Sequence, residues 1–182
     1  MLRYYYLTWF SQPAADRPLY QVVAKRPVRS IVEIGVGNAV RAKRLLEMAL
    51  KPSHAEEPLR YTGIDPFESR AKDAPGLTLK GAYAQLKTDH VKLQLLPGDP
   101  LSALARSANS LTATDVLIIS LDQVGESLDQ AWRFVPRMLH AGSLVYQERP
   151  GKKPGETRFD LIPLTEVSRL ATQAKRATRR AA

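Results

Sequence analysis

The stretch "SIVEIGVGNAVRAKRLLEMAL", Ser30–Leu50, decides the fold. Its β-branched start, "SIVEIG", reads as a buried strand bounded by glycine. The strand carries an acid near its end, Glu33, and then breaks into the turn Gly35-Val36-Gly37. Beyond the turn Val40, Leu45, Leu46 and Ala49 recur at helical spacing. Strand, glycine turn and helix together make a nucleotide-type pocket, since glycine lets a ligand approach the backbone where a Cβ would clash. The spacing of the small residues narrows the choice of ligand. A dinucleotide fingerprint, G-x-G-x-x-G/A, would place its third small residue at position 40. That residue is Val40, and the small one is Ala39, so the pattern is the shorter acid-x-G-x-G-x-small.

Outward from this stretch, apolar runs alternate with helical ones. "LRYTGID" reads as the second strand and "HVKLQLLPGD" as the third, stopped by Pro-Gly. "TDVLIISLD" is the most hydrophobic strand, and "SLVYQERP" is the fifth. Helices fall at "LTLKGAYAQLKTD", "PLSALARSANSL" and "VGESLDQAWRFVPRMLHAG", the last interrupted near Pro136 and closed by Gly142. "KPSHAEEP" and "PFESRAKDAPG" are polar or turn-rich connections. Strands separated by helices predict an α/β fold, a minimal Rossmann-like, mostly parallel sheet of five to six strands with helices on both faces. The chain divides into an aromatic and basic N-terminal extension (1–27), a core (28–150) and a C-terminal segment (151–182), within one domain overall. In the last segment "GKKPGE" has linker composition, "TRFDLIPL" is a candidate edge strand, and a basic, helix-prone tail follows.

The 182 residues carry a net charge of +9, and its placement is informative. Residues 1–30 hold five Lys/Arg against one acid, and 151–182 hold eight against three. The stretch between is balanced, at 14 of each sign. The basic excess therefore belongs to the flanks, where it is either a solvated, frayed end or a surface for nucleic acid or another acidic partner. The chain has no Cys, which excludes disulfides and thiolate metal sites and points to a reducing, cytoplasmic setting. No apolar run approaches the roughly 20 residues of a membrane span, and "MLRYYYLTWFSQP" lacks the features of a signal peptide.

The ordered set of motifs resembles the class I S-adenosylmethionine-dependent methyltransferases over about residues 28–150. The compact glycine turn after Glu33 is similar to the family's first motif. Asp65 of "YTGIDPFE" ends the second strand, where the family's acid takes the ribose hydroxyls. Asp99 of "LLPGDP" follows the third, where the family's residue meets the adenine amino group. Asp122 ends the fourth-strand motif. The resemblance implies S-adenosylmethionine as cofactor, held by Glu33, Gly35, Gly37, Ala39, Asp65 and Asp99. It further implies methyl transfer to an oxygen or nitrogen acceptor. The family continues past the fifth strand with a helix and two more strands, whereas at most one more strand fits here. The alternative is therefore a non-catalytic Rossmann-like module that binds a partner through its basic flanks.

Asp122 stands as the candidate acid/base or acceptor-orienting residue, with capping of the next helix as its structural alternative. Gln147 and Glu148 end the fifth strand and are candidates to line an acceptor pocket. Asp122 with Glu148 is too little for a metal site, and none is expected. His54, His90 and His140 have no partner at ligand spacing and read as structural. Tyr4, Tyr5, Tyr6, Trp9 and Phe10 are either an aromatic lid or a packed or self-associating segment. Arg41, Lys43 and Arg44 crowd the first turns of a helix, where the macrodipole disfavours cations, and so point to an anion nearby. Solvated arginine is the plainer alternative. Oligomeric state is not readable from these residues.

Overall fold

The computed structural model describes residues 2–50, 58–71 and 73–181. His54 and nearly all of the "KPSHAEEP" loop lie outside the described residues. Six strands are present: β1 Ser30–Ile34, β2 Leu59–Asp65, β3 Val91–Pro97, β4 Thr114–Ile119, β5 Leu139–Pro150 and β6 Thr157–Ile162. The helices are α1 Leu2–Tyr5, α2 Arg17–Lys25, α3 Val40–Ala49, α4 Leu79–Leu86, α5 Pro100–Ser107, α6 Glu126–Ala131 and α7 Leu164–Ala181. They build an α/β sandwich around one sheet of order β3-β2-β1-β4-β5-β6. The first five strands run parallel, and β6 returns antiparallel to β5.

The apolar alternation of the strands sorts the core onto two faces. Ile31, Tyr61, Val116 and Ile118 point to one side, where Leu19, Tyr20, Val23, Leu45 and Leu86 of the helices meet them. Val32, Ile34, Leu117 and Ile119 point to the other, against Leu104, Leu128, Trp132 and Val167. All five residues of β1 are buried, because strands pair on both its edges and helices cover both its faces. The glycine turn leaves this strand at the point where the connections part toward opposite edges of the sheet. In an open α/β sheet that crevice, beyond the carboxyl ends of the strands, is where ligands bind.

Two parts of the C-terminal segment differ from expectation. "GKKPGE" is the loop of the β5–β6 hairpin, closed by Gly151 N–H donating to Glu156 O at 2.7 Å. Lys, Pro and Gly suit a hairpin loop as well as a linker, so composition does not separate them. The tail forms the helix its sequence favours and differs in having a packed face: Val167, Ala171 and Ala174 are buried, and Thr178 Oγ1 accepts from Arg133 Nη1 at 2.6 Å. The chain before β5 also differs, since His140 is the second residue of that strand and does not end a helix. Its Nε2 lies 3.0 Å from Asp115 Oδ1. Pro136 sits in a short 3-10 helix, Trp132–Arg137, where its missing N–H interrupts the α ladder.

At the other end, α1 runs into a π-helical turn, Tyr6–Phe10. Leu7 is buried there, whereas Tyr5, Tyr6, Trp9 and Phe10 are 48–69% exposed. The basic flanks end on opposite faces of the sheet, Leu7 in one core cluster and Val167 in the other. Among the described residues no helix is long and apolar enough to cross a membrane.

Candidate functional site

Three residues of the turn after β1 have positive φ: Gly35 at +94°, Gly37 at +58° and Ala39 at +58°. The two glycines serve different purposes. A Cβ on Gly35 would stand 2.6 Å from Ser120 Cβ, so Gly35 lets the turn pass close under the end of β4. A Cβ on Gly37 would meet nothing within 4 Å, so Gly37 faces open space. Ala39 is buried at the N-cap of α3, and its carbonyl accepts from Lys43 N–H at 2.9 Å.

Arg41, on the first turn of α3, reaches back beneath the turn and is not solvated. Its Nε donates to Glu33 Oε1 at 2.7 Å, and its Nη2 donates to Gly35 O at 2.9 Å and to Ser120 Oγ. Asp16 and Glu148 carboxylate oxygens lie 3.8 and 3.9 Å from Nη1, and Phe159 of β6 packs under the guanidinium. The anions that the cationic helix start called for are thus the protein's own carboxylates. Burial works to lower the Arg41 pKa, but Glu33, Asp16 and Glu148 together raise it, so the side chain stays charged. Glu33 is fully buried and also accepts from Tyr61 O–H at 2.5 Å. Burial pushes its carboxyl upward, against Arg41 and Tyr61. Asp16 is likewise raised by burial, opposed by Arg41 and by the hydroxyl of Tyr20 at 3.1 Å.

Above this floor lies a cleft of about 740 Å³. Its walls are the glycine turn, Gln12, Pro13 and Asp16 from the N-terminal segment, Pro75, Ser120–Asp122 after β4, and Glu148 from β5. Asp122 stands exposed on the wall and accepts from Gln123 Nε2 at 3.1 Å. It does not cap α6, whose N-cap is Gly125. Glu148 accepts from Leu121 N–H at 3.1 Å, which ties the end of β5 to the turn after β4. Gln147, beside it, is turned inward and is not a wall. The aromatic residues Tyr4, Tyr5, Tyr6, Trp9 and Phe10 are not walls either, so they form no lid in this arrangement.

The candidates after β2 and β3 lie outside the cleft. Asp65 is fully buried: Oδ2 accepts from Gly37 N–H, and Oδ1 from Phe67 N–H, both at 2.9 Å. Arg70 Nη2 also donates to Oδ1, and Leu77 N–H donates to Gly37 O at 3.0 Å, which closes this side of the turn. Asp99 is exposed and caps α5, accepting from Leu101 N–H, Ser102 N–H and the hydroxyls of Ser102 and Ser127. Those two hydroxyls, ahead of the backbone donors, hold its pKa down to about 2. The structure therefore gathers Glu33, Gly35, Gly37 and Asp122 around one cleft, places Ala39 behind it, and keeps Asp65 and Asp99 apart from it.

Three residues were not singled out from the sequence, Asp16, Ser120 and Arg70, and Arg41 was singled out for its charge but not as a buried group. Asp16 had a visible signal, being the one acid among the first 30 residues. Ser120 and Arg70 had none, because their roles depend on contacts across 85 and five residues of chain.

Comparison with known proteins agrees with this architecture. The fold is a Rossmann-like fold that S-adenosylmethionine-dependent methyltransferases of known structure share. One solved relative in fold is the O-methyltransferase TomG from Streptomyces achromogenes, involved in tomaymycin synthesis, in complex with SAM. It matches at a TM-score of 0.53 and 15% identity over 93% of this chain and 69% of its own. CalS11, a TDP-rhamnose 3′-O-methyltransferase of calicheamicin biosynthesis, matches at 0.55 and 22%, over 79% of this chain and 65% of its own. A TehB-like SAM-dependent methyltransferase from Corynebacterium glutamicum matches at 0.52 and 15%, over 88% and 71%. No protein-family profile and no curated protein matches the sequence.

Proposed function

We propose that the protein binds S-adenosylmethionine in the cleft over β1 and β4 and transfers its methyl group to an oxygen or nitrogen acceptor. The observation that carries this reading is the charge of the cleft. Asp16, Asp122 and Glu148 face it and Glu33 lies under it, with Arg41 as the only cation among the described residues of the lining. Such a lining favours a ligand with a net positive charge, a sulfonium and an ammonium against a single carboxylate. A cation seated there also draws the raised carboxyls of Asp16 and Glu33 back toward their charged forms. Gly37 leaves the room that the methionine portion needs.

The sulfonium, when bound, supplies an activated methyl group. What the chain must then provide is alignment of the acceptor, and orientation alone accounts for much of the rate in such a transfer. Asp122 and Glu148 are the groups placed to orient an acceptor or take its proton. Calorimetric titration of the full chain with S-adenosylmethionine, S-adenosylhomocysteine and NAD tests the reading. The first two bind and NAD does not. Tighter binding of NAD overturns it.

The second reading, a non-catalytic module whose basic flanks bind a partner, is favoured by the face of α7, where Lys175, Arg176 and Arg179 are exposed. If the partner is nucleic acid, deleting Gln173–Ala182 removes four cations and flattens the salt dependence by up to about four units of slope. Binding that survives with the same slope, or no RNA or DNA binding at low salt, excludes α7 as that surface. The deletion also lowers thermal stability slightly, because Ala174 is buried. The reducing, cytoplasmic setting inferred from the missing Cys belongs to this proposal as well.

A further inference from the structure

The carboxylate that ends β2 has hydrogen-bonding capacity beyond its backbone donors, and a neighbouring side chain takes up part of it. Asp65 receives one backbone N–H on each oxygen, from Gly37 and Phe67. A carboxylate oxygen accepts two hydrogen bonds, so one position remains on each. Two adjacent acceptors on one group match the vicinal hydroxyls of a ribose. Arg70 occupies the position on Oδ1. Its guanidinium packs directly on Gly76, where a Cβ would collide with it.

The hold of Arg70 is incomplete. Its Nε is buried and has no hydrogen-bond partner among the described residues. The turn that delivers it is strained, with Phe67 at φ +48°, a sparsely populated conformation for a bulky side chain. Glu68, Ser69 and Ala71 around it are exposed, and Arg70 itself is partly buried and belongs to neither core cluster. Asp65 keeps both backbone donors when Arg70 leaves, and one acceptor position on each oxygen is then open.

Building on the reading that this fold holds S-adenosylmethionine, we propose that Arg70 is an internal competitor for the cofactor's ribose. The diol binds Asp65 only once Arg70 has left it, and the strength of that ion pair sets the affinity for the cofactor. A site that is competent about one tenth of the time binds about tenfold more weakly than its intrinsic affinity. Arg70 is thus an affinity-setting residue that never contacts the reacting atoms.

The test is calorimetric titration of the full chain with S-adenosylhomocysteine, on the wild type, Arg70→Ala, Arg70→Gln and the double variant Arg70→Ala/Asp65→Asn. Arg70→Ala binds about tenfold more tightly than the wild type, and the double variant loses that gain. Arg70→Gln, which keeps donors without the charge, shifts affinity the same way by less and carries the test if Arg70→Ala fails to fold. Affinity unchanged or weakened in both single variants, while the wild type binds, overturns the role of Arg70 and leaves the cofactor reading standing. Absence of binding in the wild type and in every folded variant overturns both.

Discussion

The two halves of the sheet's carboxyl edge solve the same problem differently. At β1 a buried acid, Glu33, is paired with Arg41; at β2 a buried acid, Asp65, is paired with Arg70. Arg41 is held by Glu33, Gly35 O, Ser120 and the nearby carboxylates of Asp16 and Glu148, and it forms the floor of an open cleft. Arg70 is held by one carboxylate, leaves its Nε unpartnered, and packs against Gly76. An arginine with many partners is part of the frame, whereas one with a single partner is exchangeable. Sequence spacing cannot tell these apart, since Arg41 stands eight residues from its acid and Arg70 five.

The comparison is broken most sharply by removing each arginine in turn. Arg41→Ala leaves Glu33 fully buried with only the Tyr61 hydroxyl, and breaking such a pair costs about 3–5 kcal/mol. Arg70→Ala leaves Asp65 with two backbone donors and costs about 1–3 kcal/mol. Urea unfolding midpoints at constant slope give both values. Equal losses would mean that Arg70 is as much a framework residue as Arg41.

The two glycines of the turn sharpen the same contrast on the β1 side. Gly35→Ala forces a Cβ to within 2.6 Å of Ser120 Cβ at a positive φ, and packing strain with backbone strain costs about 2–4 kcal/mol. Gly37→Ala meets no atom and costs only the backbone strain, about 1–2 kcal/mol. Gly37→Val, which adds bulk toward the open side, abolishes S-adenosylhomocysteine binding in a protein that still folds. Binding retained in folded Gly37→Val would place the ligand elsewhere.

Most of the architecture was legible. "LRYTGID" is β2 to the residue, Leu59–Asp65, because period and turn residues agree there. The order of strands and helices followed from alternation, and the single extra strand from the length remaining after Pro150. The turn at Gly35 and Gly37 was legible because positive φ leaves a signature in residue type. What was not legible is how charges pair across the fold. Arg41 carried a hint, a cation at a helix start, but whether the anion was ligand or protein depended on Asp16 and Glu148, from two distant segments. Asp65 was readable as an acid at a strand end, yet nothing in "DPFESR" says that Arg70 folds back onto it. The α7 tail looked frayed because its charges dominate the composition, while Val167, Ala171 and Ala174 make a narrow apolar stripe.

Asp99, at the end of β3, tests how far the β2 pattern extends along the edge, and its effect is the smallest. No arginine pairs with it among the described contacts. Oδ1 receives three donors and Oδ2 one, so Oδ2 keeps a position free. Its pKa is held near 2 by the Ser102 and Ser127 hydroxyls, below the ordinary 3.8. A depressed carboxylate contributes stability above its unfolded value and loses it as the pH falls through the folded one. The window is therefore pH 3.8 down to about 2. Burial raises Asp16 and Glu33 instead, so their contribution is complete below their ordinary carboxylate values and is lost as the pH rises through the folded ones. Subtracting Asp99→Asn from the wild type cancels those two and isolates Asp99, because Asn caps a helix about as well as Asp. Since Asp99 is solvent-exposed, screening keeps the difference at neutral pH below about 1 kcal/mol. Thermal unfolding at stepped pH shows that difference shrinking to nothing between pH 3.8 and about 2. In S-adenosylhomocysteine titrations the same variant weakens binding only if the free position on Oδ2 meets the adenine amino group. An unchanged affinity would confine Asp99 to capping α5.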